Sequence, residues 1–340
     1  MRYKQEELWF PLSENILGWD KDFHDLMLND ASRMSAYEKA IKETIKEGMI
    51  VADIGTGTGI LAQWALEAGA AKVYGIEANK NILPLALKRM ESAGFSQKFI
   101  PILGFSYDVG LPERVDAIIS ELLGNLGDNE DMTPILADAR KRFLKDHGVT
   151  MPSKVTSFIV PVDSRKLHLQ VKEKRCHGIS EKYNLNRLLS KLQTKNPFDL
   201  YYDAIIPKRS HLSFPQPIQT FTFSADDKAT YRIENTFTIN AYGVFVGFKG
   251  YCIAELSQRV HWDTSGDEVE KRATSDCLKH CFLPIEIPLE VKKGDVIHLA
   301  FSRTYPVNNN APFRQCYAWE GFLQRKGKKI STFHQEMCRR

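Results

Sequence analysis

The stretch IVADIGTGTGIL at residues 50–61 decides the fold. Its apolar first half predicts a buried strand, and Gly55, Gly57 and Gly59 predict a sharp turn from that strand into a helix. In such a turn a ligand can lie against bare backbone amides at the helix N-terminus. The sequence therefore predicts a small-molecule site directly after its first strand.

Short apolar runs continue on both sides of residue 150, but their pattern changes there. Up to residue 150 they are separated by helical stretches, which predicts βαβ units and a parallel sheet. Beyond Met151 apolar and polar residues alternate, which is typical of antiparallel strands. The runs of the first kind are Met49–Gly55, Lys72–Glu77, Phe99–Gly104 and Val115–Ser120, and those of the second kind are Val155–Val162, Thr220–Phe223, Tyr231–Ile239, Tyr242–Tyr251 and Val296–Phe301.

We therefore predict an α/β, Rossmann-like domain followed by an antiparallel β-barrel or sandwich. The length of 340 residues suits two domains. The predicted bounds are residues 36–151 for the first domain and 152–340 for the second. Residues 1–35 are expected to form a helical segment that closes over the ligand site. A short helix predicted at Asn184–Lys195 belongs to an inserted arm at about 172–198.

Composition excludes several classes of protein. The net charge of +4, from 46 basic and 42 acidic side chains, does not indicate nucleic-acid binding. Neither a signal peptide nor a membrane span is predicted, because no apolar run is long enough. The six scattered cysteines indicate reduced thiols and a cytoplasmic location. Cys277, His280 and Cys281 lack a second ligand pair at metal-site spacing, so no metal site is expected.

Two acidic residues near the glycine turn narrow the choice of ligand. Glu77 ends the second strand 18 residues after Gly59, where a carboxylate can accept hydrogen bonds from both ribose hydroxyls of a nucleoside. Gly57, Gly59 and Ala62 also satisfy a loose dinucleotide pattern, so an NAD-dependent oxidoreductase is the alternative. Asp53 favours the ammonium of a methionine moiety over a doubly charged pyrophosphate. This favours S-adenosylmethionine and a methyltransferase.

A pair of carboxylates follows the fourth strand, in SELLGNLGDNE at residues 120–130. Glu121 and Glu130 are nine residues apart with two glycines between them, so they can form two sides of a loop that folds back on itself. Such a pair can bind a guanidinium through its fork of donors. A guanidinium stays charged, so its nitrogens are poor nucleophiles. Two carboxylates can draw the positive charge to the far nitrogens and orient the near one towards the methyl group.

With these residues, the chain resembles the protein arginine methyltransferase family over nearly its whole length. The segments that carry the resemblance are VADIGTGTGILAQWALEAGAAKVYGIEAN, SELLGNLGDNE and HDLMLNDASR. SELLGNLGDNE and FLKDHGVTMPSKVTSFIVP are most similar to the symmetric-dimethylating (type II) branch, although the large N-terminal barrel domain of that branch has no counterpart in this chain.

The resemblance implies S-adenosylmethionine as cofactor and arginine as acceptor. Glu121 and Glu130 match the guanidinium clamp, and Arg33 matches the residue that pairs with the methionine carboxylate. The further implied cofactor contacts are Asp53, Gly55, Gly57 and Glu77, with Phe105 and Ser106 beside the adenine. The implied acceptor pocket contains His24, Met27 and Phe282; for Phe282 a core aromatic is the alternative.

The sequence departs from the family pattern at two places near the acceptor. Met27 stands where the type II branch has phenylalanine. His280, Cys281 and Phe282 are aligned with the Thr-His-Trp loop of asymmetric-dimethylating members, so Asp30 is expected to lack its usual histidine partner.

The expected first product is monomethylarginine, with symmetric dimethylation favoured over asymmetric. The acceptor is arginine in a protein or peptide, with free L-arginine or a small guanidino compound as the alternative. The family also implies a homodimer in which the inserted arm participates.

Overall fold

A computed structural model describes residues 4–11, 27–178, 181, 183–191, 194–224, 226–267, 275, 278–306 and 315–337. His24, which was expected in the acceptor pocket, lies outside these residues. Among the described residues, no helix is both long and apolar enough to cross a bilayer.

The first domain is a parallel sheet covered by helices, as predicted. Its strands run in the order β3-β2-β1-β4-β5, so the strand order reverses beside β1. Ligands of such sheets bind outside the carboxyl ends of the strands at this point. The elements are α1 (Ala31–Thr44), β1 (Ile50–Ile54), α2 (Ile60–Glu67), β2 (Lys72–Glu77), α3 (Leu83–Ser92), β3 (Phe99–Leu103), β4 (Val115–Ser120), α4 (Met132–Phe143) and β5 (Leu144–Met151).

The second domain consists of two antiparallel sheets, also as predicted. Their strand orders are β7-β12-β10-β6-β8, with β11 on β10, and β15-β14-β13-β9. The strands are β6 (Lys154–Val162), β7 (Tyr202–Ala204), β8 (Gln216–Phe221), β9 (Tyr231–Thr238), β10 (Gly243–Glu255), β11 (His261–Asp263), β12 (His280–Val291), β13 (Val296–Thr304), β14 (Cys316–Arg325) and β15 (Lys328–Glu336).

An aromatic core joins the two antiparallel sheets. Phe248 of β10 and Phe333 of β15 are fully or almost fully buried, with ring centroids 5.9 Å apart. Two helices, α5 (Arg165–Lys172) and α6 (Leu185–Lys191), precede β7 and pack their apolar residues on the same core. We call this second unit the barrel domain.

The N-terminal segment differs from the expectation. Residues 4–11 are not helical: the Glu6 amide donates to the Ile205 carbonyl, and the Trp9 amide donates to the Asp203 carbonyl. Leu8 and its neighbours are buried in the core of the barrel domain, so these residues belong to that domain. The apolar side chains of residues 8–10 are buried in that domain. The local sequence pattern does not reveal such a long-range contact.

The expectation of reduced thiols is wrong at one position. Cys316 is disulfide-bonded, whereas Cys176 and Cys252 are free thiols. A scattered distribution along the chain therefore did not reveal which cysteines the fold brings together.

Candidate active site

The glycine turn after β1 forms one wall of the site. The amides of Gly55 and Thr56 both donate to the Ile76 carbonyl, at 2.9 and 3.0 Å, which holds the turn against the end of β2. Gly55 has φ +72°, and a Cβ there would lie 3.1 Å from Leu122 Cδ2. Only glycine fits this conformation in so little space without strain, so the turn stays open towards a ligand.

Glu77 is tied to this turn at the carboxyl end of β2. Its Oε2 accepts from the Gly57 amide at 2.9 Å and its Oε1 accepts from the Asn79 amide at 2.8 Å. These two bonds fix the carboxylate at the rim of the turn. Each carboxylate oxygen has a further lone pair for a ligand hydroxyl.

Asp53 lies beneath the turn instead of lining the cavity. Its side chain has no exposed surface, and its Oδ2 accepts from Thr56 Oγ1 at 2.6 Å. Burial raises the pKa of the Asp53 carboxyl to about 7, although the Thr56 hydrogen bond opposes the shift. Asp53 therefore shapes the turn, and direct contact with a ligand, as expected from the sequence, is not part of this geometry.

A cavity of about 520 Å³ opens in front of the turn, a size typical of small-molecule sites. Of the residues expected from the sequence, Met27, Arg33, Gly55, Gly57, Glu77, Phe105, Ser106, Glu121 and Glu130 line it together. Phe105 presents a ring that is 47% exposed, and the Ser106 carbonyl is held by Arg142 Nη2 at 2.5 Å. Lining residues that the sequence analysis missed include Asn79, Lys80, Asn81, Leu122 and Ile135.

A positional signal could have found most of those missed residues. Asn79, Lys80 and Asn81 lie two to four residues after the end of β2. Leu122 lies two residues after the end of β4, next to the predicted site residue Glu121. The carboxyl ends of these strands meet at one edge of the sheet, so residues there share the ligand site.

The loop after β4, residues 121–131, folds back on itself as predicted. The amide of Gly124 donates to the Gly127 carbonyl at 3.1 Å, and the amide of Gly127 donates to the Gly124 carbonyl at 2.9 Å. Asn129 Oδ1 accepts from the Leu126 amide at 3.0 Å and closes the turn from inside. We call this element the hairpin loop. It brings Glu121 and Glu130 to the same cavity.

The two glutamates lie in surroundings that penalise charge. Glu130 is only 4% exposed. The Glu121 side chain is 9% exposed, and its Oε2 forms an ion pair with Arg33 Nη2. Burial raises the pKa of the Glu121 carboxyl, and the Arg33 guanidinium partly reverses the shift. Glu121 thus already binds a guanidinium, that of a residue on α1.

Phe282 is placed differently from the expectation, and Asp30 has a partner that the sequence analysis did not name. Asp30 caps α1 by accepting from the Arg33 amide at 3.1 Å, and Ser275 Oγ donates to its Oδ2 at 2.5 Å. Ser275 therefore contacts the N-terminus of α1, and Trp262 of β11 also reaches this helix, donating to Ser32 Oγ at 3.2 Å. Phe282 lies on β12, fully buried in the barrel core and outside the cavity lining, so the alternative of a core aromatic is correct.

Comparison with known proteins agrees with this geometry. A family model described as PRMT5 arginine-N-methyltransferase matches residues 6–151, and one described as PRMT5 oligomerisation domain matches residues 154–319. The chain belongs to the protein arginine N-methyltransferase family. The two matches meet close to the predicted domain boundary at residue 151.

Individual members of the family match in part. A probable protein arginine N-methyltransferase 6 of Arabidopsis thaliana is 37% identical over 141 residues, 41% of this chain and 32% of that protein. Protein arginine N-methyltransferase PRMT10 of the same plant is 40% identical over 140 residues, 41% of this chain and 36% of that protein. The matched stretch thus spans about a third of the length of each relative.

Solved structures of family members share the fold. The structure of Arabidopsis thaliana protein arginine methyltransferase 10 superposes with a TM-score of 0.76 at 22% identity, covering 92% of this chain and 97% of that one. The Trypanosoma brucei PRMT1 enzyme-prozyme complex gives a TM-score of 0.75 at 20% identity, with 92% and 96% covered. The fold of both domains is therefore that of the family.

Proposed function

We propose that this protein transfers a methyl group from S-adenosylmethionine to a guanidino nitrogen of arginine. The observation that carries the proposal is the pair of buried carboxylates, Glu121 and Glu130, which line the same cavity as the glycine turn. Two carboxylates that line one poorly solvated cavity favour a cationic ligand, and a planar cation with several donors suits them best. The NAD-dependent oxidoreductase has no support from the comparisons, which name methyltransferases.

The residues around the cavity fit S-adenosylmethionine. Glu77 can accept hydrogen bonds from its ribose hydroxyls, the exposed Phe105 ring can stack on its adenine, and Arg33 can pair with its carboxylate. Gly55 lines the cavity without a side chain, so the ligand can approach the backbone of the turn there. When bound, this cofactor supplies a methyl group activated by a sulfonium.

The clamp acts by position and charge. Glu121 and Glu130 hold the far nitrogens of the acceptor guanidinium and keep its positive charge there, which leaves electron density on the near nitrogen. Their low exposure strengthens these bonds, since water competes little in the cavity. The hydrogen bonds within the hairpin loop hold both carboxylates in place without further ordering.

Glu121 connects cofactor and acceptor through Arg33. In this structure the Arg33 guanidinium pairs with Glu121. A cofactor carboxylate beside Arg33 would also pair with the Arg33 guanidinium. The negative charge of Glu121 would then be only partly balanced, and the guanidinium of the acceptor would balance the rest. The proposed function therefore includes tighter acceptor binding once the cofactor site is filled.

The product and assembly are part of the same proposal. We propose monomethylarginine as the first product and symmetric dimethylarginine as the second, because both matching family models are PRMT5 models and the hairpin loop resembles that branch. Met27 lines the cavity and shapes the space at the acceptor nitrogen. A homodimer is supported by the oligomerisation-domain match over residues 154–319. Protein or peptide arginine is the proposed acceptor, and a cytoplasmic location stays a prediction.

Labelled cofactor offered with a Gly-Arg-rich peptide, a histone-tail peptide and free L-arginine tests the proposal by mass spectrometry of the products. Wild type should label arginine. Glu121→Gln and Glu130→Gln should each lower kcat on the order of 100-fold or more. Cofactor affinity, measured by calorimetry, should be unchanged in Glu130→Gln, whereas Glu121→Gln releases Arg33 from its ion pair and should not weaken cofactor binding. Glu113→Gln is the matched control, since Glu113 precedes β4 at the opposite edge of the sheet and pairs with Lys72.

The outcomes separate the alternatives. Label on free arginine alone would replace the peptide acceptor by a small guanidino compound. Label on lysine, or full activity of Glu130→Gln, would overturn the proposed function.

A further inference from the structure

We infer that Arg303 and Gln315 of the barrel domain are positioning residues that set the place of Glu130 for the methyl transfer proposed above. Neither residue lines the cavity. Both contact the hairpin loop at the residues that flank Glu130, namely Asp128 and Asp131. The inference rests on the proposed function, which gives Glu130 its role.

Arg303, on β13, holds the loop on one side of Glu130. Its Nη1 pairs with Asp128 Oδ2, and its Nε donates to the Ala229 carbonyl at 2.7 Å. Both Arg303 and Asp128 are 1% exposed. Rings of Phe221 and Tyr231 lie 5.3 and 4.9 Å from the guanidinium carbon and enclose it. A buried, enclosed ion pair has one favourable geometry, so Asp128 cannot shift without breaking it.

Asp128 passes this constraint on to the following helix. Its second oxygen, Oδ1, accepts from the Thr133 amide at 2.5 Å, in the first turn of α4. The Asp128 carboxylate therefore binds both Arg303 of the barrel domain and the amide of Thr133 in α4, one oxygen to each. Glu130 lies in the chain between Asp128 and Thr133. The backbone from residue 128 to 133 is closed into a ring by this contact.

Gln315, directly before β14, holds the same stretch a second time. Its Nε2 donates to the Asp128 carbonyl and to Asp131 Oδ1, each at 2.7 Å. The Gln315 amide is itself oriented, because its Oε1 accepts from Tyr317 Oη at 2.7 Å. One side chain thus bridges the residues two before and one after Glu130.

The consequence is that the barrel domain sets the angle of Glu130, although Glu130 belongs to the other domain. A carboxylate that must bind a guanidinium with two oxygens is sensitive to small displacement, and about 1 Å can cost on the order of 100-fold in rate. A solely structural role would lower stability alone and leave the rate per folded molecule unchanged. The two roles therefore differ in what they predict for kcat.

The test uses Arg303→Lys, Gln315→Met and Gln315→Glu in the full chain. Arg303→Lys keeps the charge but cannot hold Asp128 and Ala229 together. Gln315→Met removes the donor at similar length, and Gln315→Glu presents a carboxylate where the Asp128 carbonyl and Asp131 need a donor. The control is Arg325→Gln, which removes an ion pair with three hydrogen bonds to Asp295 elsewhere in the barrel domain.

Four quantities are measured for each variant: kcat and KM with the best peptide acceptor, the cofactor Kd, the Tm, and amide hydrogen exchange at residues 124–131 and 55–61. The Gln315 variants should lower kcat about 10- to 100-fold, with Gln315→Glu the lower of the two. Their cofactor Kd should stay within about twofold, since the glycine turn is not touched. Exchange should rise at residues 124–131 and not at 55–61.

Arg325→Gln should lower the Tm without changing kcat or hydrogen exchange in the hairpin loop. The inference is overturned if kcat of the Gln315 variants stays at the control value, or if exchange in the loop is unchanged. Should the wild type methylate no arginine while loop exchange responds as expected, the proposed function fails and the anchoring of the loop by Gln315 stands.

Discussion

Replacing Asp53 with asparagine should change how stability depends on pH. Burial raises the pKa of the Asp53 carboxyl from 3.8 to about 7. The unfolded chain releases this proton near pH 4, whereas the folded protein keeps it until near pH 7. The folded protein therefore loses stability as the pH rises between these values. A difference of about three pKa units corresponds to about 4 kcal/mol, of which about 3 kcal/mol falls between pH 5 and pH 8.

The assay is urea unfolding at pH 5, 6, 7 and 8, followed by tryptophan fluorescence without ligand. Asparagine keeps an acceptor for Thr56 and carries no charge, so the variant lacks this pH dependence. Relative to wild type, the free energy of unfolding of Asp53→Asn should rise by about 3 kcal/mol from pH 5 to pH 8. The exposed Asp146→Asn on β5 should run parallel to wild type. An Asp53→Asn curve that also runs parallel would refute the burial argument.

Two further predictions concern the ion pair between Arg33 and Glu121 and the packing of the hairpin loop. Arg33→Met removes the cation that lowers the pKa of Glu121, so the acidic limb of the pH profile of kcat/KM should move to higher pH. Cofactor affinity should also fall about 10- to 100-fold, because the cofactor carboxylate loses its partner. An acidic limb that does not move would show that Glu121 does not titrate in that profile. Gly127→Ala adds a Cβ 2.9 Å from Ser157 Oγ at φ +85°, and Gly294→Ala adds one at φ +89° with nothing within 4 Å. Backbone strain should lower the free energy of unfolding of both variants by about 1–2 kcal/mol, measured by urea unfolding. Gly127→Ala should lose additional stability through its contact with Ser157 and should also lower kcat, measured from initial rates. Equal losses of stability in the two variants would contradict the packing of the hairpin loop on the barrel domain.

Much of the fold was predictable because its signals are local. The strands at Lys72–Glu77 and Val115–Ser120 have the predicted bounds, since each is a short apolar run between turn and helix signals. The helix predicted at Asn184–Lys195 is present as Leu185–Lys191. Residues 4–11 were misjudged because their burial depends on the distant barrel core and not on their own spacing.

Some residues of the candidate site were predictable from local sequence signals, and others depended on tertiary packing. The glycine turn, Glu77, Glu121 and Glu130 follow strand ends, and strand ends of a parallel sheet converge whatever the rest of the chain does. The burial of Phe282 in the barrel core and the contact of Ser275 with Asp30 depend on tertiary packing, so the sequence alone did not show them. Asp53 was expected to contact the ammonium of the ligand, but it is buried in β1 beneath the turn, a position that depends on packing.

The sequence by itself determined that Glu121 and Glu130 would share one cavity with the glycine turn, because each of these two elements is encoded within about a dozen residues. The tertiary structure decided how that pair is held. Arg303 is 175 residues from Asp128 in the chain, and nothing in the spacing of either residue indicates the other. The two residues pair because a charge buried by the packing of the domains is stable only beside an opposite charge. Only the folded structure shows which two residues meet.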